Sequence, residues 1–344
     1  MSSGRSIWSG LKIPLFLITG TGIALRLIPV VLPSVNFIGV VDIYYADTEA
    51  CKALLSFHNP YNIVFDPLAG QRDVYAYLPM VPIFLSPFEL VFGDVRYGAI
   101  FADAVITLAC FWVARTFFNQ KAIWSSVAFA LLPPSIFLTS FIGSNMMIGS
   151  MFLLLALAAL FQEKYWSFAI IFGLGLATNQ LLILAVPFFL RYLWRMKKTR
   201  FLAASFITAL AIVIPFYLAS PSRFLYDVFL FQFQRPLQSN GFMSLYFLTY
   251  YATGIELSLI VRSILVLVVG VYFLVFLSKD ALKFLASILF FLAVGAVVLP
   301  VNGFWSYLLP SMTIACTMLP LALKRPRPLG EEGSYSKKES RYEE

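Results

Sequence analysis

The residues best suited to chemistry are three acids, Asp42, Asp47 and Glu49, in the segment GVVDIYYADTEACKALLSFHNPYN, residues 39–62, directly after a hydrophobic run. Apolar residues precede them so closely that they belong near a membrane surface rather than far out in water. An ionised carboxylate beside low dielectric is a competent general base for a hydroxyl group. If residues 47–55 form a short helix on the membrane, the acids also suit its dipole. Capping is therefore the plain alternative role for Asp47 and Glu49.

Cations form a second group. Arg26 and Arg262 each lie within an apolar run, towards its outer half, and a charge inside a membrane is costly enough to mark a functional site. The alternatives for Arg26 are pairing with Asp42 or Glu256, or snorkelling outwards. The segment SPSRFLYDVFLFQFQRPLQSNGF carries Arg223 and Arg235 among glutamines, Ser239 and Asn240. Such a set suits a phosphate and sugar hydroxyls, with a lipid headgroup contact as the alternative for Arg235. Asn145, Asn179 and Gln180 interrupt apolar runs, where they need hydrogen-bond partners or a water-filled cavity. Paired acids and waters could hold a divalent cation weakly. Three scattered cysteines and a single histidine, His58, argue against a disulfide framework or a zinc cage. No Gly-rich phosphate loop follows a strand, so a soluble nucleotide-sugar donor has no support.

The elements that must position these residues are set by composition. The 344 residues are 60% hydrophobic and 12% charged, with a mean hydropathy of +0.84, which describes an integral, polytopic membrane protein. Taking roughly 20 apolar residues per crossing, spans are expected near 11–32, 77–93, 98–118, 122–141, 146–161, 165–190, 201–219, 256–277, 281–299 and 304–323. The segments 146–161 and 165–190 also admit short or broken helices. Long outer loops are expected at 33–76 and 220–255. Residues 1–323 then form one transmembrane domain, with no cleavable signal, and 324–344 a disordered cytoplasmic tail. On this topology sixteen Lys and Arg fall on one side and six on the other, so both termini are expected in the cytoplasm and both long loops outside. The net charge of +8 clusters beside spans, where orientation and membrane lipids account for it and nucleic acid is not needed.

The order LRL (Leu25–Leu27), then Asp42 with Tyr44 and Tyr45, then NPY (59–61) and YAYLP (75–79) resembles the GT-C superfamily of polytopic glycosyltransferases. It is most similar to the polyprenyl-phosphate-mannose-dependent mannosyltransferases. The resemblance is strongest from Arg26 to Pro79. It implies an all-α fold of about ten (eight to twelve) transmembrane helices, with short juxtamembrane helices in the first outer loop. It also implies an aspartate there as catalytic base: Asp42, with Asp47 as second candidate. Weaker echoes reach FIGSNMMIGS and GLGLATNQLL, where Asn145 replaces a family Asp and Asn179 a family Lys. Phe57 stands where Gly is commoner.

The implied donor is a polyprenyl-phosphate sugar, and the acceptor a glycolipid, glycan or protein, at the plasma membrane or the endoplasmic reticulum. Asp42 would take the acceptor hydroxyl's proton as that oxygen attacks the anomeric carbon with inversion; retention would need Asp47 as nucleophile. Arg26, Arg235, Arg262 and Arg223 are the phosphate-binding candidates. Tyr45, Asn59, Tyr61, Tyr77, Asn145, Asn179 and Gln180 are the substrate-facing ones, with interface anchoring as the tyrosines' alternative. Two other readings are a non-catalytic relative, suggested by the neutral Asn145 and Asn179, and a secondary transporter with its site at mid-bilayer.

Overall fold

The computed structural model describes residues 4–32, 42–63, 65, 74–142, 145–231, 243–276, 281–300 and 305–322. The tail at 324–344 and Arg235 therefore lie outside the described residues. Every regular element described is helical. Four helices are long and apolar enough to cross a bilayer unaided, and a pair bent by 48° makes a fifth. The other crossings are shorter apolar helices.

The direction of each helix follows from its contacts. Helix α1 (Gly4–Val31) meets α4 (Arg96–Phe118) twice: Arg26 reaches Asp103, and Leu15 packs near Phe118. The two are therefore antiparallel, and Arg96 lies on the face where α1 ends. This face is called the loop face below. Two helices lie along it, α2 (Asp42–Leu55) and α3 (Met80–Phe92).

Helix α3 does not cross, which corrects the expected span at 77–93. Its first N–H donates to Ala177 O, while the turn after it puts Arg96 5.3 Å from the ring of Tyr44, on α2. Both ends thus stay at one face. Glu89 explains the placement: α3 is an amphipathic helix that buries Val81, Leu85 and Glu89 against α2, with Lys52 3.9 Å from Glu89. Its far side, Leu90 to Phe92, is exposed, as suits a helix lying at a membrane interface.

The chain then recrosses through α5 (Ile123–Ala130) and α6 (Pro133–Ile136), which continues as a π-helical turn to Ile142. Helix α7 (Met146–Phe161) returns, and Phe161 meets Phe117 at the end of α4. The expected single span at 165–190 is instead two legs. Helix α8 (Tyr165–Leu176) rises to the loop face. A 3-10 turn (Gln180–Ala185) and α9 (Val186–Arg195) then descend, so that Phe189 packs on Phe168 and Phe172. Asn179 makes the reversal, its side-chain oxygen accepting the Leu181 N–H at 2.9 Å. Helix α10 (Arg200–Ala219) packs so tightly on α8 that a Cβ at Gly173 would come 2.6 Å from Ser205 O.

At the loop face follow α11 (Pro221–Leu225), a π turn (Tyr226–Leu230) and α12 (Leu245–Thr253). Helices α13 (Leu259–Phe276), α14 (Ala281–Val298) and α15 (Leu309–Ala322) complete the bundle. Ten legs therefore join the two faces among the described residues. Their number equals the expected one because one span is lost and another is split. The revision moves Lys121 and Lys164 away from the loop face and Arg96 onto it.

Candidate active site

A cavity of about 130 Å³ opens at the loop face, where the segment before α3, the α8–α9 turn, the π turn after α11 and the ends of the α14–α15 connection converge. Tyr77, Asn179 and Gln180 line it together with Met146, Leu181, Val228, Phe229, Leu299, Pro300 and Tyr307. Gln180 holds the walls together: its side-chain amide donates to Ala76 O and to Val228 O, both at 3.1 Å. Asn179 donates to the sulfur of Met146 at 3.2 Å. The polar turn is thus at the surface end of the bundle, where its groups find partners.

Behind the cavity stands Asp47, 1% exposed. Tyr75 donates its hydroxyl to Asp47 at 2.9 Å, and the Asn145 amide reaches both carboxyl oxygens at 3.2 and 3.0 Å. Burial raises the Asp47 pKa to about 8, only partly opposed by these two donors. Burial thus favours its protonated form. Asp42, five residues earlier, is about 140° around the helix. It is partly exposed at the first position of α2, and its carboxylate accepts the Ile43 N–H at 2.8 Å. Asp42 is not among the cavity-lining residues described. The two acids therefore occupy opposite environments on one helix and do not form a close pair for a metal or a double displacement. Among the described residues no group of three His, Cys, Asp or Glu is placed to hold a metal ion.

The arginines separate. Arg26 is saturated by the protein: Nε donates to Asp103 at 2.5 Å, and its other four N–H groups go to Gly22 O, Ala130 O, Phe129 O and Ser135 Oγ. It has no donor left for a phosphate, which corrects the expectation that it binds one. Its partner is Asp103 rather than Asp42 or Glu256. Arg262 stands behind a cavity-lining residue, Leu299. It is 3% exposed, donates through Nη1 to the cavity-lining Leu299 O, and stacks 5.2 Å from the Tyr246 ring, while its Nε has no partner among the described residues. Arg223 lies in α11, near enough to Asp227 to oppose the rise of that carboxyl to about 6, which burial causes.

Asn59 and Tyr61 are structural. Asn59 caps the short turn at 60–62 and donates to Phe216 O, and buried Tyr61 donates its hydroxyl to Tyr77 O at 2.5 Å. Tyr45 packs edge-on against Tyr44, away from the cavity lining. Sequence reasoning missed Asp103 and Asp227. Asp103 was detectable as an acid in the middle of an apolar run; Asp227, beside the basic residues of the second loop, carried no distinguishing signal.

No protein-family profile matches the chain, and the curated proteins searched hold no match. The fold is similar to crystal structures of ArnT from Cupriavidus metallidurans, one bound to undecaprenyl phosphate and one in the apo state. Their TM-scores are 0.61 and 0.62, at 13% identity over 94% of this chain. The chain spans 61% of the length of that protein. At such identity the likeness shows the fold alone: an all-helical, polytopic architecture like that of the two structures.

Proposed function

We propose that this protein is a membrane glycosyltransferase that takes a sugar, expected to be mannose, from a polyprenyl-phosphate donor. The observation that carries the reading is Arg262, a buried guanidinium bonded to the cavity-lining Leu299 O, its Nε without a partner among the described residues. A buried cation lacking a bonded carboxylate is a ready partner for a phosphate at headgroup depth. The apolar rim of Leu181, Phe229 and Leu299 suits the first isoprene units. The related fold in complex with undecaprenyl phosphate supports the same class of donor.

Asp42 is the base in this reading, removing the proton from the acceptor hydroxyl as its oxygen bonds to the anomeric carbon. The polyprenyl phosphate departs with the bonding electron pair, and Arg262 stabilises the charge that develops on it. Asp47, enclosed and bonded to Tyr75 and Asn145, positions the wall. A single base gives inversion. In this reading the loop face is the non-cytoplasmic one, which the distribution of charge supports: among described side chains, Lys121, Lys164, Lys283 and five basic residues between Arg191 and Arg200 lie at the opposite face. Lys52, Arg96, Arg223 and, at the start of α13, Arg262 lie at this one. The transporter reading loses its mid-bilayer site, because the Asn179–Gln180 turn lies at the loop face.

The test is transfer of labelled sugar from a short-chain polyprenyl phosphate by protein in detergent or nanodiscs. Turnover by the wild type that disappears in Asp42→Asn supports the reading. Absence of transfer from every lipid-linked sugar, with binding of the lipid phosphate retained, would instead leave a non-catalytic relative.

A further inference from the structure

The third crossing is broken for a local chemical reason. Pro133 and Pro134 have no N–H, so the carbonyls of Phe129 and Ala130 lose the i+4 donors of a continuous helix; Phe129 O accepts the Leu132 N–H at 3.1 Å instead. In hydrocarbon no water replaces those donors. Arg26, from α1, supplies donors at the break: Nη1 donates to Ala130 O at 2.8 Å, and Nη2 adds a longer bond to Phe129 O at 3.3 Å. The same guanidinium holds Asp103 of α4, whose Oδ2 also accepts from Ser135 at 2.9 Å and Thr139 at 2.8 Å, both beyond the break. One ion pair thus fastens α1 and α4 to both sides of the bend.

The segment beyond the bend grips the helix that carries the acids. Ser140 O accepts from Arg96, whose guanidinium lies over Tyr44, two residues from Asp42. Asn145, at the next turn, holds Asp47. We propose that Arg26 and Asp103 are a positioning pair which fixes the proline break of the third crossing and so sets the seat of α2, without touching substrate. The kinetic part of this inference rests on the proposed glycosyl transfer; the geometric part does not.

Two variants test it. Arg26→Lys keeps the charge but cannot reach Asp103 and both carbonyls together. Arg26→Met with Asp103→Asn removes both charges and leaves no unpaired ion, which guards against simple misfolding. The seat of α2 is read with nitroxide labels at Phe57→Cys, 99% exposed, and Trp124→Cys, 50% exposed, the native cysteines being buried. The expected result is a shifted or broadened label distance in both variants, and turnover at least tenfold lower with donor KM within threefold of wild type. A shifted distance in a protein that transfers no sugar sustains the positioning pair while the glycosyl-transfer reading falls. Label distances that superimpose on the wild type in both variants overturn the proposal.

Discussion

The side-chain amide of Asn145 donates to both carboxyl oxygens of Asp47, at 3.2 and 3.0 Å, across 98 positions of sequence. An aspartate at that position would set two carboxyls against each other in a buried site; asparagine supplies a donor instead. The neutrality of residue 145 thus suits its partner.

Asp47 makes stability depend on pH. Its carboxyl titrates near 8 in the folded protein, against an ordinary value of 3.8. The native state therefore holds the proton more tightly than the unfolded chain. Its contribution is complete below about pH 4 and is lost as pH rises towards 8, by up to about 1.4 kcal/mol per pH unit. Melting temperature in detergent should fall between pH 5 and 8, and Asp47→Asn should flatten that slope. An unchanged slope in the variant would refute a protonated Asp47.

Asp42→Asn should leave folding intact, because asparagine is also accepted at a helix N-terminus. Turnover should fall by roughly 10²–10⁴, the usual contribution of a general base, with little change in donor KM. Retained turnover in this variant, but not in Asp47→Asn, would move the base to Asp47.

Arg262→Lys keeps a positive charge but loses the planar fork and the stacking on Tyr246. Binding of a short-chain polyprenyl phosphate, followed by displacement of a fluorescent analogue, should weaken about tenfold, roughly 1.4 kcal/mol. Arg26→Lys should not weaken it comparably. Equal losses would return Arg26 to the phosphate site.

Gln180→Glu removes both amide donors and leaves Ala76 O and Val228 O facing a carboxylate. The expected cost is about 1–3 kcal/mol for each carbonyl left unpaired. Hydrogen exchange should rise together in 74–79 and 226–230. Faster exchange in only one of the two segments would show that Gln180 does not join the loops.

Much was legible in the chain because the bilayer is a severe solvent. Apolar runs of sufficient length had to be helical and polytopic, and the acids after the first span had to lie at its surface. Arg26 and Arg262 were visible as charges in hydrocarbon, and the resemblance carried by residues 26–79 led to the fold observed. Composition did not separate α3 from a crossing helix, because a 13-residue amphipathic helix at the interface is nearly as apolar as a span. The clue was Glu89, whose burial depends on Lys52 and on α2.

Only the tertiary structure decided which charges meet. Arg26 and Asp103 stand 77 residues apart in sequence and 2.5 Å apart in space, and nothing local to either specifies the other. Hydropathy depends on each residue's own surface, so the sequence by itself determined the all-helical membrane architecture. Pairing depends on how helices pack and on the proline break between them, so packing alone made Arg26 a structural cation and set Arg262 against the cavity-lining Leu299.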